Sequence, residues 1–455
     1  MRVVVVGAGL AGLTAATDLA AAGITPIVLE ASDRVGGRTR GIEVAPGAWA
    51  DAGAAYLGDR HTELRALLDQ LGLKTVPTTM LGASRFALDP SGHARSRDGR
   101  FPPLNAVAIG DLFDKLDELT SQLPKHAPWL HPRAAEWDTM TAQQWARENL
   151  PHPDARTFFP LFLGEMMAAD PATISVLHMA FYLRSGGGTR YLNAFEGGAQ
   201  NERVDGGSHQ ICEQLAAALP EPVHLGDPVR SIHQTSTELD GTAGQVHVHT
   251  EKACYECDAV VVAVPPLLAD QIDFSPALPL SRAGTRTSPG CAVKVHLVYP
   301  KPLWREHGLS GWSVSARGPL TSTVDDSPPD EAAGVLTGFV TGADVYEFAA
   351  LSLVEQQEQA RAQVRLLFPE LPDPIAVHVT DWVNAPYSRG CYAALMGPGD
   401  WISRGPHLTT AHLRVHWAGT ETSTEYFGLM EGAIRSGHRV ATEILTRYEN
   451  LRRSR

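Results

Sequence analysis

The stretch MRVVVVGAGLAGLTAATDLAAAGITPIVLE (1–30) decides how this chain is read. VVVV (3–6) is a continuous β-branched run, the mark of a strand buried on both faces. GAGLAG follows, then TAATDLAAAG, expected as a helix ending at Gly23; ITPIVLE (24–30) is a second strand ending in an acid. Gly7, Gly9 and Gly12 stand in G-x-G-x-x-G order, and Glu30 closes the unit. The first glycine makes the tight turn, the second lets a pyrophosphate approach the backbone, and the third lets helix and strand pack. The helix N-terminus then faces the anion, and the acid accepts a ribose hydroxyl. The same stretch has the positive start and apolar run of a signal peptide, but patterned glycines break the run. The unit predicts a dinucleotide site, with NAD and FAD sharing the fingerprint.

Outward from this unit, ASDRVGGRTRG (31–41) puts Arg34, Gly36, Gly37 and Arg38 straight after the acid. Two glycines permit another close backbone approach, and two guanidiniums can offset phosphate charge. ADAGAAYLG (50–58) adds small residues where a flat ring could lie against main chain.

The 455 residues suit two domains rather than one core. A net charge of −13 argues against a nucleic-acid binder, which needs a basic face. No uninterrupted apolar stretch of ~20 residues occurs, so no membrane span is expected, and NLRRSR (450–455) reads as a polar tail. The five cysteines form no disulfide framework and point to a reducing, cytoplasmic setting. Cys254 and Cys257 form a C-x-x-C within TEKACYECDAVVVAV, expected as a strand hairpin. No second pair or histidine cluster completes a zinc site, so two reduced thiols and no metal are expected.

The pattern predicts an α/β protein in which a Rossmann-like dinucleotide-binding domain, an FAD-binding domain by the resemblance described below, is interleaved with an α+β substrate domain of mixed sheet and helices. HTELRALLDQLGL (61–73) and GGSHQICEQLAAAL (206–219) read as helices of the first domain, with strands at 223–234, 245–250 and 258–264. A helical excursion runs from about 104 to 184, with apolar residues at helical spacing. A second excursion starts at CAVKVHLVY, includes a helix at VEQQEQARAQVRLLF and ends near 384; DDSPPDEAAG (325–334) within it reads as turn and loop. The expected division is 1–77, 205–285 and 385–455 for the cofactor, and 78–204 and 286–384 for the substrate.

VVVVGAGLAGLTAA, LEASDRVGGRTR, ADAGAAYLG, EGGAQNERVDGGSHQI (196–211), DAVVVAVPPLL (258–268), FSPALP (274–279) and VHWAGTETSTEYFGLMEGAIRSGHRVATEIL together resemble the flavin-containing monoamine oxidase family, as a soluble bacterial-type member. The resemblance spans nearly the whole chain. It implies FAD, an amine substrate and O2, with release of H2O2. It places Glu421 beside the pyrophosphate or ribityl chain, the Met430 backbone on a pyrimidine carbonyl, and the Val229 main chain on the adenine. It gives Lys294 the task of holding a water against flavin N5. The residue alone would read as an edge-strand lysine reaching solvent. Trp382 is expected beside the flavin; the plain alternative is a core aromatic. The triplet Gly390-Cys391-Tyr392 matches the one that forms an 8α-S-cysteinyl bond in many relatives, although Arg389 stands where the animal enzymes tend to have glycine. A free thiol near the ring is the alternative.

By the same resemblance, Tyr392 is one wall of an aromatic cage. Leu429 takes the place of the second wall, usually a tyrosine, so a bulkier, secondary or otherwise unusual amine is expected. Tyr56, Phe162, Glu165, Met166, Tyr191 and Gln200 are expected to line the pocket. Glu165 would receive the second ammonium of a diamine, unless it belongs to a solvated helix face. No G-x-S-x-G motif suggests a hydrolase. The competing readings are a related flavin oxidase or desaturase acting on an amino acid or another CH–NH or CH–CH bond, and a non-catalytic binding protein on the same fold. Tyr56 stands where amino-acid oxidases place an arginine, which counts against the first. The oligomer, including a homodimer, is left open.

Overall fold

The computed structural model describes residues 1–89, 92–235, 245–282 and 288–453; the last two residues of the polar tail lie outside them. Four parallel strands form one sheet in the order Pro26–Leu29, Val3–Val6, Ala259–Val262, Val415–Trp417. All four valines of 3–6 are buried, because apolar groups cover both faces. One face packs on helix Leu10–Ala21 and the long helix Met430–Arg453. The other packs on the sheet Cys254–Cys257, Val246–Thr250, Val229–Gln234, Asp273–Ser275.

The first helix begins at Leu10, earlier than the sequence suggested, so Gly12 lies within it. Its N-terminus thereby sits directly after Gly9, where unpaired first-turn amides gather. The strand expected over 223–234 starts only at Val229; residues before it form a turn in which His224 bridges to Leu29. The C-x-x-C does lie on one arm of an antiparallel hairpin, with Cys254 exposed and Cys257 buried. No group of His, Cys, Asp or Glu among the described residues could hold a metal.

A separate seven-stranded sheet joins strands of the second excursion to two that precede the helical one, in the order Ala376–Asp381, Ala292–Tyr299, Gly334–Thr341, Ser322–Asp325, Leu309–Ser315, Ala83–Ala87, Arg95–Asp98. Strand Ala292–Tyr299 is antiparallel to a neighbour on each side, and all eight residues are buried. Lys294 is therefore not on an edge, which removes the solvent-reaching alternative. Helix Leu353–Leu367 covers one face of this sheet. The helices of 106–193 form a third core around Phe159, Phe162, Phe181 and Trp401. Strand Glu202–Val204 pairs with Tyr56–Leu57 and Thr75–Pro77, so chain drawn into the substrate portion meets cofactor-side strands just before residue 205. No described helix is long and apolar enough to cross a membrane.

Candidate active site

A cavity of about 300 Å³ runs from the first strand–helix turn to the seven-stranded sheet. At one end it is floored by backbone. Gly7 has φ +102°, closed to ordinary side chains, and its Cβ would meet the Ala263 carbonyl. Gly9 is different: a Cβ there would meet nothing closer than the Gly36 carbonyl at 3.9 Å, so its missing side chain leaves open cradle. A Cβ on Gly12 would fall on the Gly7 carbonyl oxygen, inside the helix–strand contact. The space around each of the three glycines is of the kind the motif requires. Glu30 is buried; one carboxylate oxygen accepts from the Ala8 amide at 2.8 Å, the other from the amide and hydroxyl of Ser32. Gly36, Gly37, Arg38 and Val229 continue the wall. A helix N-terminus, an open glycine cradle and an acid at the second strand's end fit an adenine dinucleotide.

Arg34 does not face this cavity. Its guanidinium donates to the carbonyls of Val35, Gly37 and Thr39, pinning the loop it sits on. Arg38 lines the cavity but is committed to Glu421, through bonds of 2.6 and 3.0 Å, and to the Tyr392 carbonyl at 2.8 Å. Glu421 lies behind that wall, 2% exposed, and also accepts from the Ala394 amide. Burial alone would raise its carboxyl, but the charge and hydrogen bonds of Arg38 hold it below the usual range. The two together strap the 390–394 segment to the first domain's loop. This pairing across the chain had no signal in the sequence, where both residues pointed to phosphate and ribityl.

At the other end, Cys391, Tyr392, Trp382, Lys294, Tyr56, Phe339 and Leu429 converge on the cavity. The Lys294 ammonium donates 2.8 Å bonds to the carbonyls of Asp51 and Gly53, which leaves its third N–H. It also stands over the Phe339 ring. Burial lowers its pKa, partly offset by Asp326 and Asp51. Trp382 donates its indole N–H to the Ala52 carbonyl and packs with Cys391 and Ala292. The Cys391 thiol is 6% exposed, and burial pushes it up to about 12. The Cys391–Tyr392 peptide is cis. Tyr56 donates to Asp326, which also faces Arg203.

Tyr392 and Leu429 both border the cavity. Neither neighbour restores an aromatic. Tyr426 donates its hydroxyl to the Arg60 carbonyl, and Phe427 is fully buried in the helical core. Met430 is the first residue of its helix, so its amide is a donor the helix cannot satisfy internally. Glu165, Met166 and Gln200 form the far wall with Leu192 and Val324. Phe162 and Tyr191 do not reach it. Phe162 faces Phe113 and Phe158 in the helical core. Tyr191 sits under Arg60 and accepts from its amide. The sequence could not tell how far along its face the helix Pro153–Met167 met the cavity. Phe339, Val324 and Leu192 escaped the sequence reading for a related reason: long-range pairing alone brings them here.

The family model for flavin-containing amine oxidoreductases matches residues 10–445. A flavin-containing amine oxidase of Oncorhynchus mykiss is 34% identical over 97% of this chain and 85% of its own length. A putrescine oxidase solved with putrescine bound superposes with a TM-score of 0.90 at 30% identity, covering 98% of this chain and 99% of that one. The same redesign of its cofactor binding produced an alanine-to-cysteine variant, also similar in structure. Cyclohexylamine oxidase from Brevibacterium oxydans IH-35A gives 0.90 at 29% identity, with the same coverage.

Proposed function

Since this chain belongs to the family of flavin-containing amine oxidoreductases and is an FAD-dependent amine oxidase, we propose the following assignment of its parts. Bound flavin supplies the two-electron acceptor, taking a hydride equivalent from the carbon beside nitrogen and passing the electrons to O2 as H2O2. The observation that carries the assignment is one continuous cavity joining the glycine cradle to the Cys391–Tyr392–Lys294 wall. Gly7, Gly9, Gly12, Glu30, Gly36 and Gly37 hold the dinucleotide, the Val229 main chain meets the adenine, and the Met430 amide meets the pyrimidine edge. Arg38 and Glu421 act as a strap behind the cofactor rather than as a counter-charge to phosphate. Lys294, fixed by two carbonyls, offers its third N–H to a water on the ring. Trp382 and Tyr392 shape the reacting end. The division of the chain into 1–77, 205–285 and 385–455 around the cofactor, and 78–204 and 286–384 around the substrate, is part of the same reading.

Cys391 is the proposed point of covalent attachment. Its thiol would supply the sulfur of a thioether to the 8α-methyl carbon, with bound flavin and O2 supplying the two-electron oxidation that such a bond requires. The alanine-to-cysteine putrescine oxidase, made to redesign cofactor binding, supports a cysteine as the relevant variable. Leu429 opposite Tyr392 makes the cage one-sided, which favours a substrate wider than a simple primary amine. Five free cysteines suit a reducing cytoplasm.

The test is the visible spectrum of purified protein before and after acid precipitation, then peroxide release across an amine panel. Yellow colour that stays with the pellet, and is lost to the supernatant in Cys391→Ala, is expected. Colour that leaves the wild-type pellet would remove the covalent bond but not the flavin. Hydride leaves from the neutral amine, so activity should rise with pH until the substrate is deprotonated.

A further inference from the structure

Asp227 has one carboxylate oxygen without a partner at the cofactor end of the cavity. It opens the run Asp227-Pro228-Val229 that leads into strand Val229–Gln234, and all three residues border the cavity. The chain before it runs alongside the end of the second parallel strand. The Gly226 amide donates to the Ser32 carbonyl at 2.8 Å, and the Asp227 amide to the Glu30 carbonyl at 2.9 Å. Asp227 therefore stands beside the acid that closes the glycine motif. It is 2% exposed. Its Oδ2 accepts from the Tyr255 hydroxyl at 3.0 Å, while Oδ1 has no hydrogen-bond partner among the described residues.

The neighbouring groups are committed elsewhere. Pro228 has no N–H to give its predecessor. Arg230, the next cation on the cavity wall, holds Glu251 through bonds of 2.6 and 3.1 Å. Lys252 donates to the Leu225 carbonyl. Glu30 is nearly full: it takes the Ala8 amide and both the amide and hydroxyl of Ser32, three of about four lone-pair directions. A buried acceptor left unmade costs more than a made bond returns, and most when it is charged. A ligand entering this end of the cavity can supply the missing donor.

We infer that Asp227 is a second acid of the dinucleotide site, its Oδ1 accepting a hydrogen bond from the adenosine end of the cofactor. This rests on the FAD assignment and deepens it. Two groups there carry a proton to give, the 6-amino group of adenine and the ribose hydroxyls. A phosphate, itself an anionic acceptor, does not suit the position. The motif gives ribose recognition to the acid at the strand end; here that acid chiefly orders the turn, and Asp227 shares the reading.

The experiment uses the full chain carrying Cys391→Ala, freed of flavin, so that the cofactor exchanges. Three dinucleotides are titrated by calorimetry: FAD, its hypoxanthine analogue without the 6-amino group, and its 2′,3′-dideoxyadenosine analogue without ribose hydroxyls. Adding Asp227→Leu should weaken FAD on the order of 10- to 100-fold, the range of a lost charged hydrogen bond. The analogue lacking the group that Asp227 reads should bind the Cys391→Ala protein more weakly than FAD by a similar factor, and should lose nothing further with Asp227→Leu. Which analogue does so separates the amino group from the hydroxyls. Asp227→Asn, which keeps one acceptor oxygen, should recover part of the loss. FAD affinity unmoved by Asp227→Leu would overturn the inference, as would equal weakening of all three dinucleotides, the mark of damaged packing. Both leave the FAD assignment standing. Failure of the Cys391→Ala protein to bind FAD would instead overturn that assignment itself. If Asp227→Leu does not fold, the comparison is made with Asp227→Asn, which should narrow the gap between FAD and one analogue; an unchanged gap would overturn the inference.

Discussion

The two ends of the cavity are built from different materials. The end at Gly7, Gly9 and Glu30 is made of main chain: missing side chains, first-turn amides and one acid that orders the turn. The end at Glu165, Tyr392 and Leu429 is made of side chains drawn from a helix, a loop and a helix approach that are far apart in sequence. A ligand read by backbone demands glycine at fixed spacing, and so leaves a motif. A ligand read by side chains demands only that long-range packing bring them together, and so leaves almost none.

The contrast is broken or sharpened first at Gly12. Any Cβ there strikes backbone that cannot yield, so Gly12→Ala should cost about 3 kcal/mol or more and yield protein without retained flavin. A yellow, stable Gly12→Ala would mean the cofactor end tolerates side chains after all. The next effect lies at the strap. Arg38→Met leaves Glu421 buried without its partner and should destabilise the protein by about 3–5 kcal/mol in chemical denaturation. The sign with pH follows: because Arg38 holds the Glu421 carboxyl below its ordinary value, the pair's stabilisation is present above the unfolded value and fades as pH falls through the folded one. The Arg38→Met penalty should therefore shrink in acid; a penalty constant from neutral to strongly acidic pH would contradict the strap.

Lys294→Met should slow reoxidation by O2 by about 100-fold in stopped flow, the lower range for a positioned group acting on a proton, while reduction by amine changes less. Equal slowing of both half-reactions would assign Lys294 to structure alone. The smallest effect belongs to the substrate end. Burial holds the Glu165 proton up to about 7 in the folded chain but only to the ordinary, lower carboxylate range when unfolded, so its burial costs stability as pH rises through that window. Glu165→Gln should gain about 1–2 °C in Tm at pH 8 and little at pH 5. An equal gain at both would mean the carboxylate is not strained by its cavity.

Much of the fold was legible for the reason just given. VVVV (3–6), the glycines and Glu30 announced the parallel sheet because burial on both faces and phosphate approach each restrict residue type. The start of the first helix was misjudged by the very glycine, Gly12, that belongs inside it. Lys294 looked like an edge residue because strand order cannot be seen from one strand; with neighbours on both sides it has nowhere to go but two carbonyls. Phe162 and Tyr191 read as pocket walls and stand behind them, Phe162 one turn along its helix and Tyr191 one residue from positions that do line the cavity. The Arg38–Glu421 strap joins positions on opposite ends of the chain, and only folding reveals it.

The most direct test is anaerobic titration of the purified yellow enzyme with an amine substrate, followed by air. The visible flavin band should bleach to completion, return on exposure to O2, and leave one peroxide per amine consumed. Protein that stays colourless after incubation with FAD, or a band that no amine moves, would contradict a cavity built to present a flavin to the carbon beside nitrogen.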